Sequence, residues 1–121
     1  DLNNYLKKKN NPFFVAMIES IEGIKKLDSI LKVKGLDAIF IGPYDLSASM
    51  NLTGKFNNKK FKKTISTILD KCKKAKVACG IHITKPDKSQ VKIKIRQGFK
   101  FLAYSMDSVI LDLGAKYPGK N

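Results

Sequence analysis

Arginine, histidine, cysteine and acidic residues are all scarce in this 121-residue sequence, and each scarcity narrows what the chain can do. Arg96 is the only arginine among 24 basic residues, so a net charge of +14 rests almost wholly on lysine. Surfaces that read bases or clamp phosphates favour arginine forks and interleaved aromatics, and neither occurs here. The lysines are scattered through Lys7–Lys9, Lys59–Lys63, Lys71–Lys76 and Lys85–Lys100, which puts them on the outer faces of separate helices. Nucleic acid is therefore not the expected partner; a polyanion-binding basic module is a third reading, and it would lose affinity steeply with salt. The two cysteines, Cys72 on a helical pattern and Cys79 on a strand pattern, have no metal-ligand spacing and no disulfide framework. They read as buried, reduced thiols in a cytoplasmic protein. No apolar run approaches the roughly 20 residues of a membrane span, so no membrane partner is expected. The chain opens on Asp1 without a basic-then-apolar leader, and Asp1–Asn11 reads as the tail of a helix. Residues 1–121 are therefore expected to form a single partial domain within a longer protein.

What is present is organised around Leu36–Met50, LDAIFIGPYDLSASM. Ala38–Ile41 is short, continuous and apolar, the pattern of a strand buried on both faces in a parallel sheet. Gly42 permits close approach to the backbone, and Pro43 ends the ladder because it has no N–H to donate. Asp45 is thereby delivered just past the strand's carboxyl end into a serine-rich turn. Ligands bind at that end in parallel α/β folds, so Asp45 serves equally well as a chemical group or as an ordinary cap.

In chain order, Pro12 precedes a strand-like run, Phe13–Ile18, which also ends in a carboxylate, Glu19. Ser20 is placed to cap a helix carrying Ile21, Ile24, Leu27 and Leu31, with Gly35 as its stop. Beyond the central stretch, Phe61, Ile65, Ile68, Leu69 and Cys72 form the apolar stripe of an amphipathic helix. Lys76–Thr84 reads as a third strand, and Thr84-Lys85-Pro86-Asp87 as the start of a helix that runs to Gly98. Val91–Ile95 alternates in the manner of a strand, but its start signal and the order of elements favour helix. Phe99–Met106 is the fourth strand, and Asp107–Leu113 begins a last helix that frays into Lys116–Asn121. Four strand-helix units with apolar strands give an α/β fold with a parallel sheet, half of an eight-stranded barrel of about 250 residues.

Glu19 and Asp45 end consecutive strands, which in such a sheet lie roughly 5 Å apart. Two carboxylates, with water and substrate oxygens completing the shell, suit a Mg²⁺-like ion. The alternative is that each caps its own helix and meets no metal, and spacing alone does not exclude it.

Met17–Ser20, MIES, and Phe40–Met50, FIGPYDLSASM, together with GIHI and FLAYSMDSVIL, resemble the metal-dependent pyruvate aldolases of the HpcH/HpaI aldolase/citrate lyase family over Pro12–Leu113. The likeness is to the C-terminal half of that family's TIM (β/α)8 barrel. It implies that Glu19 and Asp45 are the two metal ligands, with Mg²⁺ foremost and Mn²⁺ or Co²⁺ as substitutes. It further implies that Gly42, Pro43, Tyr44 and Asp45 form the turn that receives the pyruvate carboxylate on backbone N–H groups. The implied reaction is cleavage of a 4-hydroxy-2-oxo acid to pyruvate and an aldehyde through a metal-stabilised enolate. No lysine lies in a matched motif, so no Schiff base is expected.

Met17 stands where many members of the family have glutamine, Asn51 where glycine is common, and Tyr44 where alanine is frequent. The resemblance also implies a histidine–aspartate pair and an arginine from the barrel's other half, so no general acid or base is assigned within this chain. His82, the only histidine, matches no catalytic position and reads as a barrel-interior or hydrogen-bonded residue. Isolated residues 1–121 are expected to be inactive. A homo-oligomer, commonly a hexamer, is the assembly the resemblance implies. A malyl- or citryl-thioester lyase of the same superfamily, and a non-catalytic scaffold that keeps the half-barrel, are the competing readings.

Overall fold

The computed structural model describes residues 12–115. The helical tail expected over Asp1–Asn11 and the fraying expected over Lys116–Asn121 lie outside the described residues. Four short strands, β1 (Val15–Ile18), β2 (Ala38–Ile41), β3 (Ala78–Ile83) and β4 (Phe101–Tyr104), form one sheet in sequential order. Every neighbouring pair is parallel, with Ile18 beside Ile41, Ile41 beside Ile81 and Ile81 beside Leu102. Between and after the strands run α1 (Ile21–Lys25), α2 (Leu27–Ile30), α3 (Pro43–Ser49), α4 (Lys59–Ala75), α5 (Lys88–Gln97) and α6 (Asp107–Gly114). Sequential parallel strands with helical crossovers are the arrangement of half a (β/α)8 barrel.

Side chains alternate across the sheet, which gives it two unlike faces. One face packs on the helices. Ile18, Ile39, Ile41, Cys79 and Ile81 join Leu27, Leu46, Phe61, Ile65, Ile68, Leu69 and Cys72 in a single buried core. Full burial of an isoleucine or leucine contributes roughly 1.5–3 kcal/mol, so this layer supplies most of the driving force for folding. Cys72 and Cys79 are both buried and free. Hydrogen bonding to Cys72 and burial push the Cys79 thiol above its ordinary value.

The other face carries a row in register across all four strands: Met17, Phe40, Gly80 and Phe101. Phe40 and Phe101 reach over the intervening strand to place their ring centroids 5.2 Å apart. That contact requires glycine at position 80. A Cβ there would lie 2.7 Å from Phe101 Cδ1 and 2.8 Å from Phe101 O, and the backbone oxygen cannot give way. Met17 and Phe101 remain exposed on this row, at 55% and 41%. In a closed barrel this is the face that turns inward.

Several local expectations change. The single helix expected from Ile21 to Leu31 is two, because Lys26 sits at φ −91°, ψ 2°, outside helical geometry, and the break brings Leu27 to complete burial. The serine-rich turn after Gly42 is a helix, α3. Pro43 at its first position presets a helical φ and leaves no N–H to satisfy, while Leu46 drives its inner side into the core, where the hydroxyl of buried Ser47 is hydrogen-bonded. The ambiguous Val91–Ile95 alternation lies within α5, as the capping signals argued, but the cap is Asp87 rather than Thr84. Asp87 accepts from the Ser89 N–H at 2.8 Å, and hydrogen bonding to Ser89 holds its carboxyl below the usual range. Strands β1, β3 and β4 are each shorter than the apolar runs that contain them, although Phe14, Lys100 and Ser105 at the run ends still bond across to the neighbouring strand through backbone groups.

Gly80→Ala forces a methyl into the Phe101 backbone, and overpacking of this kind costs about 2–3 kcal/mol. Urea denaturation of the full-length protein should show the midpoint fall with an unchanged slope.

Candidate active site at the carboxyl ends of the strands

The site begins where β2 stops. Gly42 is the N-cap of α3 and offers no side chain to the helix start. The first intrahelical bonds are those in which Leu46 N–H reaches back to Gly42 O at 3.0 Å and its successors follow. Pro43 has no N–H, which leaves the N–H groups of Tyr44 and Asp45 at the helix start without a backbone acceptor among the described residues. Asp45 is the third residue of α3 and is exposed.

Glu19 arrives from the neighbouring strand. It follows Ile18, the last residue of β1, whose carbonyl accepts from Gly42 N–H at 3.3 Å. Its side chain lies over Gly42: a Cβ at that glycine would stand 3.4 Å from Glu19 Cβ and 3.5 Å from Oε2. Met17 Sδ would be 3.6 Å away on the same side. The β1–β2 pairing thus sets one carboxylate against the turn that launches the helix bearing the other.

The capping alternative does not describe either acid. Ser20 caps α1 by accepting from Gly23 N–H at 3.0 Å, and α3 has no side-chain cap. Among the described residues, neither Glu19 nor Asp45 accepts a hydrogen bond at its carboxylate or pairs with a cation. Asp70 and Asp112 are likewise without a partner among the described residues, so what sets Glu19 and Asp45 apart is their place, at the carboxyl ends of two paired strands.

The remaining positions singled out from sequence each have a definite place. The Tyr44 ring packs edge-on against Phe56, with centroids 4.9 Å apart, so its side chain is engaged with the loop after α3. Asn51 has φ +56°, the left-handed region that glycine enters freely and asparagine tolerates. His82 Nε2 donates to Ser105 O at 3.0 Å and ties β3 to the end of β4. Two serines that sequence reasoning passed over hold α3 in position. Buried Ser47 donates to Tyr44 O at 2.8 Å and accepts from Gly54 N–H at 3.0 Å. Ser49 Oγ accepts from Ile21 N–H at 2.9 Å. Their four-residue multiples from Pro43 and Asp45 were the available signal, visible only once α3 is known to be helical.

No group of three His, Cys, Asp or Glu side chains converges among the described residues. Two carboxylates are, by donor chemistry, a set for an ion that keeps most of its shell as water or substrate oxygen rather than for a structural zinc centre, which takes four protein ligands. A cleft of about 820 Å³ lies between α4, α5 and β3 over Phe61, Ile65, Ile81 and Ile83. Neither Glu19 nor Asp45 lines it. Lys94 borders it, and burial together with the nearby Lys62 charge pulls its ammonium below the ordinary lysine value. The lining is mixed, with Asp70, His82 and Asp87 beside the apolar residues, and it reaches Pro43 and Tyr44 at the start of α3.

The family model described as HpcH/HpaI aldolase/citrate lyase matches residues 6–112. This chain belongs to the HpcH/HpaI aldolase/citrate lyase family. It is 32% identical over 107 residues to a hydroxypyruvate/pyruvate aldolase of Roseobacter denitrificans, covering 88% of this chain and 41% of that protein. It is 33% identical over 114 residues to a 4-hydroxy-2-oxo-heptane-1,7-dioate aldolase of Shigella sonnei, covering 93% of this chain and 43% of that protein. The crystal structure of an HpcH/HpaI aldolase/citrate lyase family protein from Burkholderia cenocepacia superposes with a TM-score of 0.82 at 25% identity, over 95% of this chain and 44% of that one. The chain spans about two fifths of the length of the curated relatives it matches. Four parallel strand-helix units that cover under half of an aldolase barrel are half a barrel, and the HpcH/HpaI fold accounts for every strand described above.

Ser47→Ala in this family member removes the partner of Gly54 N–H and the tie to Tyr44 O. A loss of about 1–2 kcal/mol in denaturant unfolding is expected, with faster amide exchange at Gly54 as its local signature.

Proposed function

We propose that the full-length protein is a divalent-metal pyruvate aldolase, a carbon–carbon lyase that releases pyruvate and an aldehyde from a 4-hydroxy-2-oxo acid. The observation that carries this reading is the unpaired Glu19 carboxylate seated over Gly42, three residues before Asp45, in a family of aldolases. Glu19 and Asp45 are the residues that hold the ion, with Mg²⁺ favoured because both donors are hard carboxylate oxygens. When bound, that ion would supply Lewis-acid chemistry to a 2-oxo acid, lowering the cost of breaking the bond between the carbons α and β to its ketone.

The chain's own groups do the rest of the binding. Gly42 keeps the floor of the site open, and Pro43 frees the helix start from its first donor. The N–H groups of Tyr44 and Asp45 receive the substrate carboxylate, aided by the positive end of α3. Engagement of the Tyr44 ring with Phe56 keeps that backbone fixed while the ring stays out of the turn. An acid–base group is supplied by residues other than 12–115, in keeping with a chain that spans two fifths of its relatives. Residues 1–121 constitute a partial domain in this reading, and the working enzyme is a cytoplasmic homo-oligomer whose exposed Met17–Phe101 row is covered by the rest of the barrel.

Oxaloacetate decarboxylation tests the proposal, because it draws on the same activation of a 2-oxo acid without requiring the natural aldehyde. The full-length protein with Mg²⁺ or Mn²⁺ should turn over, and chelation should abolish it. Glu19→Ala and Asp45→Ala should each cost more than the ~10–100-fold typical of a residue beyond the ligands. Turnover that is indifferent to metal, or unchanged in both variants, contradicts the assignment.

A further inference from the structure

The segment carrying Glu19 is fastened to α3 at two points, one on each side of the acid. Ahead of it, Gly42 N–H donates to Ile18 O at 3.3 Å. Behind it, Ile21 N–H donates to Ser49 Oγ at 2.9 Å, a contact across 28 residues of sequence. Ile21 opens α1, and its N–H is one that no intrahelical carbonyl can reach. The Ser20 cap does not satisfy it either, since that hydroxyl is committed to Gly23. Ser49 thus supplies the acceptor from another element.

Its position on α3 gives the contact meaning. Ser49 follows Asp45 by four residues, so the two lie on one face of the helix, one turn apart. One turn of helix therefore joins Asp45 to the hydroxyl that pins the residue two places beyond Glu19. Stability does not demand this arrangement. The bond is exposed, and water could replace the serine hydroxyl at Ile21 N–H. A small octahedral ion would give it a use, because the ligands of such an ion tolerate little variation in spacing.

Resting on the metal reading above, we propose that Ser49 is a positioning residue for the Glu19–Asp45 pair, fixing the spacing of the two carboxylates by tethering the β1–α1 junction to α3. It touches neither ion nor substrate. Its effect appears in metal affinity and in the metal dependence of turnover, while the rate at saturating metal stays near that of the unaltered protein.

The test uses the full-length protein and Mn²⁺, with free ion followed by electron paramagnetic resonance, alongside amide exchange at Ile21. Ser49→Ala should raise the Mn²⁺ dissociation constant about tenfold or more, speed exchange at Ile21, and leave the maximal oxaloacetate decarboxylation rate within about twofold. Ser49→Thr keeps the hydroxyl and should restore both affinity and protection. Ser49→Cys keeps the size with a weak acceptor and should follow alanine, which gives a reading if the alanine variant folds poorly. Faster Ile21 exchange with unchanged Mn²⁺ affinity in the alanine or cysteine variant overturns the positioning role alone. Absence of Mn²⁺ binding in the unaltered protein overturns the metal reading, and this inference with it.

Discussion

The site depends on one backbone event, the termination of β2 at Gly42. Pro43 cannot extend the ladder, yet it is well suited to the first turn of a helix, so sheet and helix meet without an intervening loop. The same two residues remove a Cβ and an N–H from the meeting point. Space is left above the turn, and Glu19 occupies it from β1. Had residue 42 carried a side chain, that chain would have stood in van der Waals contact with the Glu19 carboxylate and taken part of its room.

A second constraint runs beneath the first. The core on the helix side holds the four strands in register, and the register decides which strand ends are neighbours. Gly80 is the corresponding point on the opposite face, where its missing Cβ lets Phe40 and Phe101 meet over β3. Glycine is used twice for one physical reason, to let something approach the sheet closely: an aromatic pair at position 80, an acid at position 42. The aldolase family to which the chain belongs offers a use for the acid.

Much of this was legible in the sequence. Ala38–Ile41 announced its strand by a short apolar run bounded by Asp37 and Gly42, and the 61–72 stripe announced α4, because both signals are local and periodic. Glu19 and Asp45 were recognisable as strand-end acids for the same reason. Other features were hidden. Helix α3 is seven residues long, too short for a clear apolar stripe, and its stability comes from burying Leu46 in a core built from elements distant in sequence. The break at Lys26 is set by where Leu27 must go, which a helical period does not encode. Ser49 looked like one more polar residue in a serine-rich stretch, since its partner is a backbone N–H 28 residues away. Residues whose role is fixed by tertiary contact to backbone leave little mark in one sequence.

The most direct measurement is a crystal structure of the full-length protein with Mn²⁺ and pyruvate, phased to show the anomalous signal of the metal. The account predicts one peak ligated by both Glu19 and Asp45, with the pyruvate carboxylate on the N–H groups of Tyr44 and Asp45. A metal peak that leaves either carboxylate unligated, or pyruvate bound in the groove between α4 and α5, would contradict it.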